Sequence, residues 1–187
     1  MAILKIARMG HPVLLQKAEP VADPTSPEIR KLVADMFETL DDIQGAGLAA
    51  PQVHVPLRLF IFRIRPERVG GDVDDRPIAN TTVINPVLTF LGEQRQIGWE
   101  GCLSIPGLRA AVPRAWRIRY EGVDTDGNPV VGEATGAHAA IVQHEYDHLD
   151  GILYPMRMAG ADFAHFGFID DLAKAGQPEF RRAAPIA

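Results

Sequence analysis

The run Gln143-His144-Glu145-Tyr146-Asp147-His148 sets two imidazoles four residues apart with a carboxylate between them. On an α-helix, residues with that spacing lie ~40° apart around the axis and one turn along it, so both rings can reach one metal ion. Glu145 sits ~100° from His144, close enough to touch a water on that ion without itself being a ligand. Such a layout suits metal-assisted hydrolysis. Two imidazoles are too few, because a hydrolytic site uses three protein ligands and leaves a position for water. An H-E-x-x-H-x-x-G-x-x-H site is excluded: Gly151 fits its glycine, but Tyr154 stands at its last histidine. A downstream glutamate leaves only Glu179, near the C-terminus and outside any strong helical pattern. Cys102, the one cysteine of the chain, is the better third ligand, since a thiolate binds Zn2+ or Fe2+ strongly. Its plain alternative is a small buried hydrophobe.

The elements that must position these residues are legible in part. Ser26-Pro27-Glu28 followed by Ile29, Leu32, Val33, Met36, Phe37, Leu40 and Ile43 reads as a capped amphipathic helix over residues 27 to 43. Apolar β-type runs follow at Leu57 to Ile64, Thr82 to Leu91 and Ile118 to Val123, the last closing on an Asp126-Gly127 turn, so antiparallel sheet is expected mid-chain. From Thr135 to Asp150 apolar residues occupy more than one face, which predicts a largely buried helix ending at Gly151. A third helix is expected from Asp162 to Lys174, and the Gly-, Asp- and Arg-rich stretch from Pro66 to Arg76 reads as an exposed loop.

Composition bounds the function. A chain of 187 residues and 20.4 kDa fits one domain, and 47% apolar with 23% charged residues is ordinary for a soluble globular protein. The net charge of −5 and the lack of any basic block beyond Arg181-Arg182 argue against DNA as a partner. The apolar runs stop short of the ~20 residues that span a bilayer, and Lys5, Arg8 and His11 interrupt any signal-like core, so a cytoplasmic protein without membrane contact is expected. A single cysteine permits no intrachain disulfide.

Three segments then resemble the signature motifs of peptide deformylases, in that family's order: Gly45-Ala46-Gly47-Leu48-Ala49-Ala50-Pro51-Gln52, Glu100-Gly101-Cys102-Leu103-Ser104 and Gln143 to Gly151. The likeness extends through Ile105 to Arg109 and Ile152 to Pro155. It implies an α+β fold in which antiparallel strands surround a central H-E-x-x-H helix, with an N-terminal and a C-terminal helix, as one catalytic domain over residues 1–187. It implies Cys102, His144 and His148 as ligands to one divalent ion per chain, Fe2+ as the native metal, with Zn2+, Ni2+ or Co2+ able to replace it. The implied reaction removes the formyl group from the N-terminal formylmethionine of nascent polypeptides and releases formate. Glu145 would be the general acid/base, and the Gln52 amide and Leu103 N–H would steady charge on the formyl oxygen. Ala46, Ala140 and Ile141 would line the methionine pocket, Gly47 and Gly101 would border the substrate backbone, and Arg109 would flank the peptide. Transient ribosome contact is part of the same implication.

Other residues invite plainer readings. Gly45 to Ala50 matches G-x-G-x-x-A but follows a predicted helix, where a dinucleotide loop should follow a strand. Asp72, Asp74 and Asp75 lack a calcium loop's glycine, because Pro77 holds that place. His11, His54, His138 and His165 read as surface or core histidines, and Asp147 as a helix-surface charge by default, with orientation of a group next to the metal site as its alternative. Tyr146 stands where many members of the family have methionine. Two rival readings are a hydrolase of other N-acyl substrates and a non-catalytic domain with a structural metal.

Overall fold

Helix α1, Pro27–Asp42, starts where the Ser26 hydroxyl accepts a hydrogen bond from the Ile29 N–H at 3.4 Å. This computed structural model describes residues 2–68, 76–158 and 166–174. Most of the expected 66–76 loop, with Asp72, Asp74 and Asp75, therefore lies outside the described residues, as do His165, Glu179, Arg181 and Arg182.

Five strands form one antiparallel sheet in the order β1 (Gly47–Ala49), β2 (Leu59–Ile64), β3 (Ile78–Phe90), β6 (Arg117–Val123) and β7 (Pro129–Thr135). Three more, β4 (Arg95–Cys102), β5 (Ile105–Ala115) and β8 (Phe166–Phe168), form a second antiparallel sheet in that order. Trp116 is the single residue at which the chain passes from β5 in one sheet to β6 in the other. Helix α2, Gly136–Leu149, touches β1, β2, β6 and β7 of the larger sheet and β4 and β5 of the smaller.

The period-2 alternation of strands explains the layering. Phe60 and Phe62 of β2 pack with Ala139, Val142 and Leu149 of α2, while Leu59 and Ile61 pack with Met36 and Leu40 of α1. The larger sheet is thus covered on both faces, which is why every residue of β2 is buried. A third cluster, with Leu14, Cys102, Ile105, Ala110, Val112, Leu153 and Tyr154, lies against the smaller sheet. Packing of this kind makes α2 the shared core element, and its polar residues are buried with it.

Several expectations need correction. Strands β4, β5 and β7 were not anticipated, and β3 begins at Ile78, not Thr82. The third helix is shorter than expected: residues 166–168 are strand, helix α3 runs from Ile169 to Lys174, and residues 159–165 lie outside the described residues. Phe166 and Phe168 flank a glycine and pair with Ala110 and Leu108, so the open edge of β5 draws this segment into the sheet. Among the described residues no helix is long and apolar enough to cross a membrane.

Candidate metal centre and substrate cleft

Helix α2 presents His144 and His148 one turn apart, with ring centroids 5.0 Å from each other. Cys102 comes from the end of β4, at the hairpin to β5, and its Sγ lies 3.3 Å from His148 Nε2. One ligand atom from each of the three residues falls within 4.8 Å of the others, a cluster that can hold a single ion. The donor set fits a divalent transition metal. A thiolate and two imidazoles suit Zn2+ or Fe2+, and three buried donors gathered without such a charge would be costly.

Glu145 is 4% exposed, and its Oε2 has no hydrogen-bond partner among the described residues. Burial pushes its carboxyl up to about 7, with the Glu100 charge adding to the effect and His144 and Arg114 opposing it. A buried carboxylate without a partner is poised to exchange a proton. Gly47 lies directly against it: a Cβ at that position would overlap the Glu145 carboxylate, so only glycine lets strand β1 pass this close.

Gln52 is 1% exposed and held from both ends. Its Oε1 accepts from the Ala49 N–H at 2.9 Å, which aims Nε2 at Cys102 Sγ and Ser104 Oγ, each 3.3 Å away. Leu103, next to Cys102, lines the same cleft. That cleft encloses about 890 Å³, and Ala46, Gly47, Gly101, Arg109, Ala140 and Ile141 all border it, as do His144 and Glu145. Arg109 lies over Gly101, where a Cβ would overlap its guanidinium, and its Nη1 donates to the Leu108 carbonyl at 3.1 Å. Trp99 and Trp116 also line the cleft and were not singled out in the sequence.

Behind the imidazoles runs a chain of buried charges of which sequence reasoning raised only Asp147, and that as an alternative. His144 Nδ1 pairs with Glu100 Oε2 at 2.8 Å, Glu100 takes two bonds from Arg114 at 2.6 and 2.9 Å, and Arg114 reaches Asp147 at 2.5 Å. Arg157 closes the chain on Asp147 at 2.7 and 3.1 Å. Burial alone would raise the Glu100 carboxyl, but the bonds from Arg114 and His144 outweigh it and hold it down to about 2. Asp147 is 5% exposed, so it is not a helix-surface charge: the α2 face that carries it is packed against the smaller sheet and meets Arg114 there. One signal was available. The alternation Ala110, Val112, Arg114 puts the arginine on an inward face, and a buried arginine demands carboxylates. Tyr154, 1% exposed, stacks on His144 with centroids 6.1 Å apart, so at this position the tyrosine supports a candidate ligand's ring.

The other histidines among the described residues, His11, His54 and His138, lie outside the cluster. His11 and His54 meet edge to face at 4.7 Å, while His138 packs on Phe62 and Tyr120 with its buried Nε2 unpartnered among the described residues. Burial, with Arg76 adding, lowers His138 from 6.5 to about 4. The folded chain therefore keeps this ring neutral, while the unfolded chain takes up a proton below about 6.5. Stability is full above that pH and is lost as pH falls from 6.5 towards 4, by at most about 3 kcal/mol and by less because the ring retains some solvent contact. In His138→Met, urea unfolding midpoints at pH 7 and pH 4.5 should lie closer together than in the wild type. An equal gap in both proteins would show that His138 does not carry this acid sensitivity.

A cluster of three metal donors beside a buried carboxyl whose Oε2 has no partner among the described residues, in an α+β fold, defines the class of metal-dependent hydrolases. The comparisons with known proteins narrow it. The polypeptide deformylase family model matches residues 3–163. Peptide deformylase 1 of Nitrosomonas europaea is 48% identical over 170 residues, covering 91% of this chain and 94% of that protein. Peptide deformylase 1 of Xanthomonas campestris is 48% identical over 176 residues, covering 91% and 98%. Among solved structures, peptide deformylase from Thermotoga maritima superposes with a TM-score of 0.74 at 33% identity, covering 85% of this chain and 99% of that one. The Met-Ala-Ser complex of the Acinetobacter baumannii class I type b enzyme gives 0.75 at 33% identity, covering 84% and 99%. The chain belongs to the polypeptide deformylase family. It is a hydrolase that removes the formyl group from N-terminal formylmethionine, acts on formylated nascent peptides, and depends on a metal.

Proposed function

We propose that residues 1–187 form a single catalytic domain which performs this hydrolysis in the cytoplasm with one divalent ion on Cys102, His144 and His148, Fe2+ being the native metal and Zn2+, Ni2+ or Co2+ able to occupy the site. The observation that carries this reading is convergence: Cys102, His144, the Glu145 carboxylate and the Gln52 amide border one cleft, and His148 joins Cys102 and His144 in one donor cluster. When bound, the ion supplies Lewis acidity, which lowers the pKa of water from 15.7 to about 7.

This chain's own residues do the rest. Glu145 accepts the proton of the attacking water and returns it to the departing amine, a task for which a carboxyl held near 7 is matched at neutral pH. Gln52 Nε2 and the Leu103 N–H donate to the formyl oxygen as negative charge grows on it. The methionine side chain enters the recess at Ala46, Ala140 and Ile141. Gly47 and Gly101 let the peptide backbone run alongside in extended form, and Arg109 flanks it. The Met-Ala-Ser ligand of the Acinetobacter relative supports a cleft that takes a peptide beginning with methionine. Contact with the ribosome would be brief and weak, given a net charge of −5. Glu145, whose Oε2 has no partner among the described residues, speaks against a purely structural metal, which needs no such group.

Formate and acetate release from formyl- and acetyl-Met-Ala-Ser, using protein of measured metal content, tests the reading. Formate is expected from the first peptide and almost no acetate from the second. In Gln52→Ala, kcat should fall about 10²–10³-fold, the usual cost of one lost oxyanion donor. Equal turnover of both peptides, or an unimpaired Gln52→Ala, would overturn it.

A further inference from the structure

Leu103 and Ser104 form the two-residue turn between Cys102 and Ile105, which face each other across β4 and β5. Two-residue hairpin turns usually place at least one central residue at positive φ, because that matches the twist of the strands. Neither Leu103 nor Ser104 does so; the described non-glycine residues with positive φ are Gln44, His54 and Asn85. The turn thus lacks the backbone form that best matches the strand twist, and the N-terminal segment ties it from outside. The Met9 N–H donates to the Ser104 carbonyl at 2.8 Å, and Arg8 Nη1 donates to the Leu103 carbonyl at 3.1 Å. One residue earlier, the Ala7 N–H donates to the Gln52 carbonyl at 2.8 Å. Gln52 Nε2 in turn reaches Ser104 Oγ at 3.3 Å. Three consecutive residues thus join the backbones of Gln52, Leu103 and Ser104, which are far apart in sequence.

We propose that residues 7–9 are a clasp that sets the two oxyanion donors relative to each other, with Arg8 as a positioning residue acting through the Leu103 carbonyl. The inference rests on the reading of Gln52 and Leu103 as those donors. A peptide unit is rigid and turns only about its flanking Cα atoms. The Cys102–Leu103 unit, which carries the Leu103 N–H, is anchored at Cys102 by strand β4, and the Arg8 bond steadies the unit on its other side. Ala7 is 2% exposed and is part of the core, whereas Arg8 is exposed and lines the cleft. The guanidinium can therefore be removed without disturbing the anchor of the clasp. It is a local device: one exposed bond adds little to global stability, yet a displacement of about 1 Å in a reacting geometry can cost about 10²-fold in rate.

The experiment compares Arg8→Ala, Arg8→Lys and Gln52→Ala, all metal-loaded to the same measured content, on formyl-Met-Ala-Ser. Arg8→Ala should lower kcat by about tenfold and leave KM within about twofold, since the group acts on the transition state and not on ground-state binding. Arg8→Lys, which keeps a donor within reach of the carbonyl, should recover most of that loss. Independently of turnover, amide hydrogen exchange at residues 103–105 should quicken in Arg8→Ala and stay unchanged in the core of α2. A normal kcat in Arg8→Ala beside an impaired Gln52→Ala would overturn the clasp and spare the oxyanion reading. Normal kcat in both variants would overturn both. A raised KM with unaltered exchange would assign Arg8 to direct substrate contact and overturn the positioning role.

Discussion

Replacing Glu145 with glutamine should leave a folded, metal-loaded protein whose kcat on a formyl-Met peptide is about 10³-fold lower, in the middle of the range for loss of a general acid/base. Glutamine keeps the volume of the side chain in the space beside Gly47, so no cavity forms. Metal content should hold, because the three gathered donors do not include Glu145. Stability should hold too, or rise slightly, because the native side chain buries a carboxyl whose Oε2 has no partner among the described residues. The loss is thus expected in the chemical step alone, with KM little changed. Single-turnover kinetics, metal analysis and thermal unfolding on the same preparation would check all three. Activity within about tenfold of the wild type at equal metal content would remove Glu145 from proton transfer and point to another base.

The largest structural effect is expected at Arg114. Its side chain is 5% exposed and pairs with Glu100 on one side and Asp147 on the other. Arg114→Met would preserve much of the packing and leave both carboxylates buried with less compensation, a change that typically costs about 3–5 kcal/mol. For a chain of this size that corresponds to a fall in Tm of about 10 °C. The effect should also reach the metal. Glu100 holds His144 Nδ1 at 2.8 Å, and without Arg114 that carboxylate loses the partner that positions it. Loss of such an outer hydrogen bond lowers metal affinity by about 10–100-fold. Arg114→Lys should not rescue, since one ammonium cannot bridge two carboxylates in the way a planar guanidinium does. Thermal unfolding with metal titration would measure both effects. A stable Arg114→Met protein with native metal affinity would show that the ion chain positions nothing.

Much of this was legible in the sequence, for reasons that particular residues show. Helix α1 carries its own start signal at Ser26-Pro27 and its own apolar stripe, so local chemistry suffices to define it. The spacing of His144 and His148 acts within a single helix, where four residues make about one turn whatever surrounds them. Cys102 could be paired with them because the chain has no other thiol. Strand β5 was opaque for the opposite reason. Pro106, Gly107 and Pro113 read as breakers, yet the segment is held as strand by β4 at Ile105 and from Ala110 to Ala115, and by β8 at Leu108 to Ala110, a stretch that excludes both prolines.

The sequence by itself therefore determined the reacting groups: two histidines and a glutamate on one helix, a lone thiol, and a glutamine after a run of small residues. It determined them because residue type and short-range spacing are local properties. Only the tertiary structure decided the environment that makes those groups reactive. Packing α2 between two sheets buries Glu145 and raises its carboxyl, joins Arg114 of β5 to Asp147 of α2, and brings residues 7–9 across to Gln52 and Leu103. Those contacts join residues from distant parts of the chain, and a pairing of that kind is set by which surfaces the fold removes from water, which no local pattern encodes.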